Sequence, residues 1–244
     1  VALGFHVLER GVIFLDIALA QVAALGFVVA FAMGFPFRSL PSYVIGLGAT
    51  LAVSTFLAFT RARQTQVRQE ALIGIFYVAA AAGALLVLAF APREAEQLKH
   101  MLVGNLLFVT WPEFFKVLGI VAAVGAFHLA FRKPLWAVTC DPQAARASGL
   151  RVRLWDFLFY ASFGLVVTSA VELAGVLLVF ALLIMPAFSA GLLTGRRGLQ
   201  LLLAWSLAGL TAAFALAASW HWDLPTGATV VCGMGVLTLA TAVT

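Results

Sequence analysis

Long apolar segments alternate with short polar connectors along the whole chain. Each segment is long enough, at about 1.5 Å per helical residue, to cross a hydrocarbon layer of about 30 Å. The pattern therefore predicts an all-α, polytopic transmembrane helical bundle that forms one domain over residues 1–244. The first residues, Val1 to Phe5, look like the tail of an earlier apolar segment. The eight expected spans are 11–34, 42–60, 71–91, 112–131, 154–171, 172–194, 199–219 and 224–244.

Composition excludes a soluble globule. Hydrophobic residues make up 64% of the 244 and charged residues only 10%, against about a quarter charged in soluble domains. The net charge of +5 does not indicate nucleic acid here, because the basic residues lie between apolar spans, where membrane orientation explains them. The two cysteines form no CxxC pair, so we expect neither a disulfide framework nor a thiolate metal site. No HExxH, P-loop or GxSxG motif occurs, and we expect no enzyme.

The basic residues predict the orientation of the bundle. Alternate connectors carry eleven Lys and Arg residues in one set and three in the other, and the richer set is expected in the cytoplasm. This alternation requires 154–171 and 172–194 to form a hairpin that turns between Thr168 and Glu172. The eleven are Arg10, Arg61, Arg63, Arg68, Arg132, Lys133, Arg146, Arg151, Arg153, Arg196 and Arg197, and the three are Arg38, Arg93 and Lys99.

One helix start is marked by its residue types. Thr110 is a suitable N-cap, Pro112 suits the first turn, and Glu113 is an acid near the positive end of the helix dipole. The preceding 101–111 is too short to span alone, and we expect a re-entrant or interfacial segment there, with a loop outside the membrane as the alternative. Lys116 follows Glu113 by three residues, a spacing at which the two are expected to pair.

The longest cytoplasmic connector contains a second capped helix. Asp141 is expected to cap a helix that Pro142 opens, and Gly149 to close it after about two turns through Arg146. A short helix exposed on the cytoplasmic face suits docking into a partner. An ordinary loop helix is the alternative.

Polar residues inside a membrane are costly and are candidates for function. Asp16 could serve as a carboxylate ligand in a metal path, or could bond to a neighbouring helix or to Arg10. Gln21 lies five residues on, which is roughly 140° around the helix, so the two do not share a face. Glu172 could meet a cation entering from outside or cap a turn.

Proline and glycine indicate how the helices pack. Pro186 lies inside the uncharged stretch 173–194, where it frees a backbone carbonyl and bends the helix. In hydrocarbon that carbonyl needs another partner, so we expect this helix beside other protein or a wet cavity. Gly191 and Gly195 have a small-xxx-small spacing that permits close helix approach, and Gly46, Gly48, Gly233 and Gly235 likewise favour a tightly packed bundle.

Four stretches resemble the membrane permease of zinc- and manganese-type ABC transporters, the ABC-3 family. ELAGVLLVFALLIMPAFSAGLL is similar to the VG-x-LLV-x-ALLI-x-PAA-x-A block of that family, and DPQAARASGL to its cytoplasmic D-x-x-x-A-x-x-x-G segment. DLPTGATVV resembles DLPSGATIV at the last helix, and HMLVGNLL resembles an L-x-G-x-L element. The resemblance runs in order from about Gly4 to the C-terminus.

The resemblance implies a dimeric permease in the bacterial inner membrane, surrounded by lipid, that imports a divalent metal of the zinc or manganese type. It implies a cytoplasmic ATP-binding subunit and an extracytoplasmic solute-binding protein as partners, with ATP bound by the partner and no cofactor bound by this chain. It implies contact between the ATPase and the segment that contains Asp141, Pro142, Arg146 and Gly149. It also implies a leading span before LGFHVLERG.

One block departs from the family pattern. The family usually has G-D-A-L-S-H-A-x-L-P-G, whereas FLDIALAQVAALG has Gln21 at the His, Leu25 at the Pro, and Asp16 displaced by one residue. A neutral amide is a poorer zinc ligand than imidazole. We expect Asp16, Gln21 and Glu172 to line the path, with Asp16 as metal ligand. The alternatives are an ABC permease for a non-metal or chelated substrate, and an ion-coupled secondary transporter in which Asp16 and Glu172 carry protons.

Overall fold

The computed structural model describes residues 2–36, 38–61, 66–89 and 109–243. These ranges contain helices and short connectors and no strand, and eight of the helices, α2–α5 and α8–α11, are long and apolar enough to cross a membrane. The predicted all-α polytopic bundle is confirmed, while most of the predicted segment 101–111 lies outside the described residues. In chain order the helices are α1 (Ala2–Arg10), α2 (Leu15–Ala32), α3 (Leu40–Arg61), α4 (Gln66–Ala89), α5 (Trp111–Ala130), α6 (Arg132–Cys140), α7 (Pro142–Ala147), α8 (Val152–Ala174), α9 (Val176–Leu193), α10 (Arg197–Trp222) and α11 (Thr226–Val243).

Helix α2 lies at the centre of the bundle. Within its span 72% of the residues are buried, against 17% in α4 and 6% in α5. It packs against α3, α4 and α8, and its apolar residues surround the whole helix, as is typical of a helix buried on every side. Its polar residues therefore face other helices of this chain, whereas α5 is at the periphery.

The connection between α8 and α9 corrects the predicted position of the turn. Residues Thr168 to Glu172 are helical, and α8 continues to Ala174 before the chain turns at Gly175. Gly175 has φ +80° and ψ 162°, a conformation that essentially only glycine adopts. The chain therefore turns where glycine permits it, three residues beyond the glutamate.

Side-chain pairs at the ends of α8 and α9 show that the two helices run in opposite directions. Near the start of α8, Asp156 bonds to Arg10 at the end of α1. Arg197, the first residue of α10 and four residues beyond the end of α9, lies 3.9 Å from Glu9, also at the end of α1. The start of α8 and the end of α9 therefore lie at the same end of the bundle, so the hairpin itself is present. This is the end that the basic residues assign to the cytoplasm, and we call it the inner end.

Glycine allows α2 and α3 to approach closely. A Cβ placed on Gly26 would lie 2.6 Å from the Cα of Gly46, and one placed on Gly46 would lie 2.5 Å from Cε1 of Phe27. The tight packing expected at Gly46 is confirmed, and a Cβ on Gly233 would lie 3.2 Å from Cγ2 of Thr211, whereas at Gly48 and Gly235 it would meet no described atom within 4 Å. At Gly191 and Gly195 a Cβ would meet no described atom within 4 Å, so their predicted close approach does not occur among the described residues.

Pro186 lies inside α9 and is buried. One turn before it, Leu183 faces Gly4 of α1, where a Cβ would overlap the Leu183 carbonyl oxygen. The part of α9 that contains the proline is therefore packed against α1. This agrees with the expectation that a helix with an interior proline lies beside other protein.

Candidate functional site

A cavity of about 290 Å³ lies among α2, α4, α8 and α9. From α2 it is lined by Ile17, Gln21, Ala24 and Val28. These residues recur at helical spacing and form one stripe of α2. Gln21 thus lies in the cavity wall, as expected of a path-lining residue.

The wall of this cavity is almost wholly apolar. Its polar side chains are Gln21, which is 8% exposed, and Tyr77 on α4; the other lining residues are aliphatic. The amide of Gln21 makes no hydrogen bond to the described part of the chain. Leu85 and Leu177, at the edge of the cavity, are 69% and 50% exposed, so the cavity is open on one side.

Asp16 is in a different environment from Gln21. It is fully buried, and neither carboxylate oxygen has a hydrogen-bond partner among the described residues. It does not line the cavity, although the adjacent Ile17 does, because consecutive residues of a helix point about 100° apart. Arg10, one predicted partner of Asp16, forms its ion pair with Asp156 instead.

Four residues form a polar cluster at the outer end of the bundle, which we call the outer cluster: Tyr43, Lys116, Ser169 and Glu172. Lys116 Nζ lies 2.8 Å from Glu172 Oε2 and 3.9 Å from the centre of the Tyr43 ring. The Tyr43 hydroxyl hydrogen-bonds to Ser169 Oγ at 2.7 Å. The outer cluster joins α3, α5 and α8. Its Glu172 follows Val171 of the cavity wall.

The predicted pair between Glu113 and Lys116 is wrong. The Thr110 backbone N–H and hydroxyl both donate to Glu113 Oε2 at 2.9 Å, and Arg38 Nη1 lies 3.1 Å from Glu113 Oε1. The carboxylate therefore turns back to the start of α5, which confirms the predicted helix start. Lys116 pairs with Glu172 on α8 instead.

A second buried pair lies at the inner end. Arg10 Nη1 is 2.7 Å from Asp156 Oδ1, and the two side chains are 0% and 2% exposed. The sequence offered no signal for this pair because 146 residues separate its members. Thr139 and His6 complete the same group.

The short cytoplasmic helix α7 forms as predicted. Asp141 Oδ1 accepts hydrogen bonds from the backbone N–H groups of Gln143 and Ala144, both at 2.9 Å, and Pro142 occupies the first turn. Gly149 follows the helix with φ +84°. The cap, the proline and the glycine therefore have the positions that their residue types predict.

One side of α7 is anchored and the rest is exposed. Ala145 is buried and belongs to a small apolar cluster with Val138 and Val152. Asp141 and Arg146 are exposed. The helix consequently presents polar groups to the inner side of the membrane while it is held to the bundle through α6 and α8.

The described ranges contain no group of three or more His, Cys, Asp or Glu side chains that could hold a metal ion. Gln21 and Tyr77 would offer oxygen atoms in the cavity, and Asp16 a carboxylate nearby. Within the described residues, these atoms do not form a complete coordination shell.

Comparison with known proteins agrees with this architecture. The chain is 28% identical over 229 residues to the manganese transport system membrane protein MntC of Halalkalibacterium halodurans, covering 94% of this chain and 76% of the relative. It is 27% identical, with the same coverage of each chain, to the chelated iron transport system membrane protein YfeC of Yersinia pestis. A chain of PsaBC from Streptococcus pneumoniae, solved in complex with Fab, has the same fold, with a TM-score of 0.78 at 22% identity over 98% of this chain and 84% of that one. Residues 1–244 match the sequence profile of the ABC 3 transport family, and the chain belongs to that family.

Proposed function

We propose that this chain is the permease subunit of an ATP-driven importer of divalent metal ions and that it favours Mn²⁺ over Zn²⁺. Membership of the family makes it a multi-pass transport subunit of the bacterial inner membrane, and the ATPase of such systems is a separate subunit. The relatives named for manganese and iron support a metal ion as substrate.

The position of Gln21 carries the preference for Mn²⁺. It is the polar residue that α2 contributes to the cavity, and the polar atoms of the cavity wall come from an amide and a phenol. Oxygen ligands suit Mn²⁺, whereas Zn²⁺ is held best by imidazole and thiolate. The described cavity wall contains neither of these groups.

The cavity is large enough for a hydrated ion. Six waters at about 30 Å³ each occupy roughly 180 Å³, so a hexahydrated cation fits within about 290 Å³. An ion that keeps part of its water shell therefore needs fewer protein ligands in this region.

The open side of the cavity supports a homodimer. A second copy placed against the exposed edge at Leu85 and Leu177 would close the cavity and could supply the missing ligands. We further propose that the ATP-binding subunit docks on α7 at the inner end. An extracytoplasmic solute-binding protein would deliver the ion near the outer cluster.

Metal uptake into proteoliposomes tests this function. The permease is reconstituted with its ATPase and binding protein, and Mn²⁺ and Zn²⁺ uptake are measured with ATP and without it. We expect ATP-dependent Mn²⁺ uptake in the wild type, at least about tenfold less in Gln21→Leu, and a shift towards Zn²⁺ in Gln21→His. Gln200→Leu is the matched control, because Gln200 bonds to the Thr194 carbonyl at the inner end of α10. Equal uptake by the Gln21 and Gln200 variants would refute the role of Gln21, and uptake without ATP would refute the importer.

A further inference from the structure

Arg10 joins two separate parts of the chain at the inner end. Its Nη1 bonds to Asp156 on α8 at 2.7 Å, and its Nε donates to Thr139 Oγ1 on α6 at 3.1 Å. The guanidinium also stacks over Phe159, 3.9 Å from the ring centre. The side chain is fully buried, so these contacts are shielded from water and strengthened by the low local dielectric constant.

The Thr139 hydroxyl is in contact with three groups. It accepts a hydrogen bond from Arg10 Nε–H at 3.1 Å. Its own proton points to the Leu135 carbonyl at 2.8 Å, and His6 Nδ1 lies 3.2 Å away as donor or acceptor according to the tautomer of the ring. The bond from Arg10 therefore holds the end of α6 against α1.

These contacts lie at the two attachments of α7. Thr139 is two residues before Asp141, the N-cap of α7, and Asp156 is the fifth residue of α8. The chain between Thr139 and Asp156 is therefore a loop that contains α7, and Arg10 bridges its base. Without that bridge, α7 would connect to the bundle through Ala145 and its apolar neighbours and through the core packing of Leu135 on α6.

Helix α8 extends from this bridge to the far end of the bundle. Between Asp156 and Glu172 it is unbroken, a distance of about 24 Å at 1.5 Å per residue. On the way it contributes Val171 to the cavity wall. A displacement of α7 that reaches Asp156 is thus carried directly to the cavity and to the outer cluster.

We propose that Arg10 is a positioning residue that clamps Thr139 to Asp156, so that α7 and α8 move as one body. The role of this clamp in transport rests on the proposed function, in which the ATPase acts on α7. The joint movement of α7 and α8, which we call the mechanical part of the proposal, does not rest on that function, because the clamp is made wholly by residues of this chain. Arg10 does not line the cavity, and its effect is exerted through α8.

The first test needs no partner protein. In a Cys232→Ser background, a nitroxide spin label is attached to the exposed native Cys140, which follows Thr139. Thr139→Val removes the acceptor at nearly constant volume, and Arg10→Lys keeps the charge opposite Asp156 but loses the Nε–H. We expect the mobile population of the label to rise about tenfold in both, because a hydrogen bond to a charged donor is lost. Thr55→Val is the matched control, since Thr55 bonds only to the Leu51 carbonyl of its own helix. Unchanged mobility in both variants refutes the clamp.

The second test measures coupling in the assembled transporter. Metal transported per ATP hydrolysed is compared in proteoliposomes containing the wild type, Thr139→Val, Arg10→Lys and Thr55→Val. We expect the first two variants to hydrolyse ATP and to transport about tenfold less metal per ATP. A wild-type ratio in both overturns the role of the clamp in transport. A wild type that transports no metal refutes the proposed function instead, and the label measurement then still decides the mechanical part.

Discussion

Replacing Gly26 with alanine tests whether the contact between α2 and α3 determines the packing of the central helix. A Cβ on Gly26 would lie 2.6 Å from the Cα of Gly46, 3.1 Å from its N and 3.2 Å from the Ile45 carbonyl oxygen. All three neighbouring atoms belong to the backbone of α3. No side-chain rotation can relieve the overlap, so the two helices have to separate.

The size of the effect follows from these distances. Carbon atoms in contact are about 3.5–4.0 Å apart, so α2 and α3 must separate by about 1 Å. Overpacking of this kind costs about 1–3 kcal/mol of unfolding free energy. Gly46→Ala should cost less than Gly26→Ala, because its Cβ would meet the ring of Phe27 and no backbone atom of α2 is among its nearest contacts; moving this buried ring disturbs the core but does not require the helices to separate. Gly48→Ala is the matched control on α3, since a Cβ there meets no described atom within 4 Å.

The measurement is equilibrium unfolding of the three variants in mixed detergent micelles, followed by helical circular dichroism. We expect the order Gly26→Ala, Gly46→Ala, Gly48→Ala from least to most stable, with Gly48→Ala at or slightly above the wild type because alanine forms helices better than glycine. In proteoliposomes, Gly26→Ala should also lower metal uptake, since α2 carries Gln21. If Gly26→Ala is as stable as Gly48→Ala, the backbone contact does not limit helix separation and the reasoning fails.

Three further predictions use the same membrane preparations. Gly175→Ala should lower the free energy of unfolding by about 1–3 kcal/mol, because alanine is strained at φ +80° and ψ 162°. Gly235→Ala, whose Cβ would meet no described atom within 4 Å, should be near neutral. Equal stability of the two variants would contradict this account of the turn. Lys116→Met should lower the free energy of unfolding by about 1–3 kcal/mol, since it leaves the carboxylate of Glu172, 6% exposed, without its cation. Lys116→Arg should retain most of the wild-type stability. A methionine variant as stable as the wild type would show that the ion pair makes no net contribution. Asp141→Ala should weaken binding of the ATPase subunit several-fold in a pull-down titration, because losing an N-cap costs about 1 kcal/mol of helix stability. Asp141→Asn keeps the cap and should bind as the wild type does. Equal binding by both variants would show that the cap of α7 does not contribute to docking.

Features set by neighbouring residues could be predicted from the sequence. The spans follow from the lengths of apolar runs, and the starts of α5 and α7 from Thr110 with Glu113 and from Asp141 with Pro142. In each case the partner atoms lie within three residues along the chain. Gly175 is also a usable signal for the turn, because glycine adopts such a conformation without strain. The predicted boundary between the two spans lies instead at Glu172, the charged residue that precedes the uncharged stretch.

Pairs between distant helices could not be predicted. Lys116 had a carboxylate three residues away, yet it pairs with Glu172, 56 residues on. A local pair of this spacing contributes only about 0.2–0.5 kcal/mol, whereas leaving Glu172 buried without a cation costs several times more. The long-range pair therefore prevails, and only the packing of α5 against α8 brings its members together. Arg10 and Asp156 are likewise brought together only by helix packing, since 146 residues separate them along the chain.

The positions of Asp16 and Gln21 limit how an ion can pass along α2. The two are roughly 140° apart around the helix, and only Gln21 lines the cavity. A buried carboxylate without a hydrogen-bond partner is costly and needs a cation or a proton beside it. If an ion contacts both residues during transport, then α2 rotates between the two contacts or the helices packed around the buried Asp16 move apart. Asp16→Asn tests whether Asp16 contacts the ion at all. The variant should abolish Mn²⁺ uptake without lowering the stability of the protein if Asp16 contacts the ion. It should leave uptake unchanged if only Gln21 faces the path.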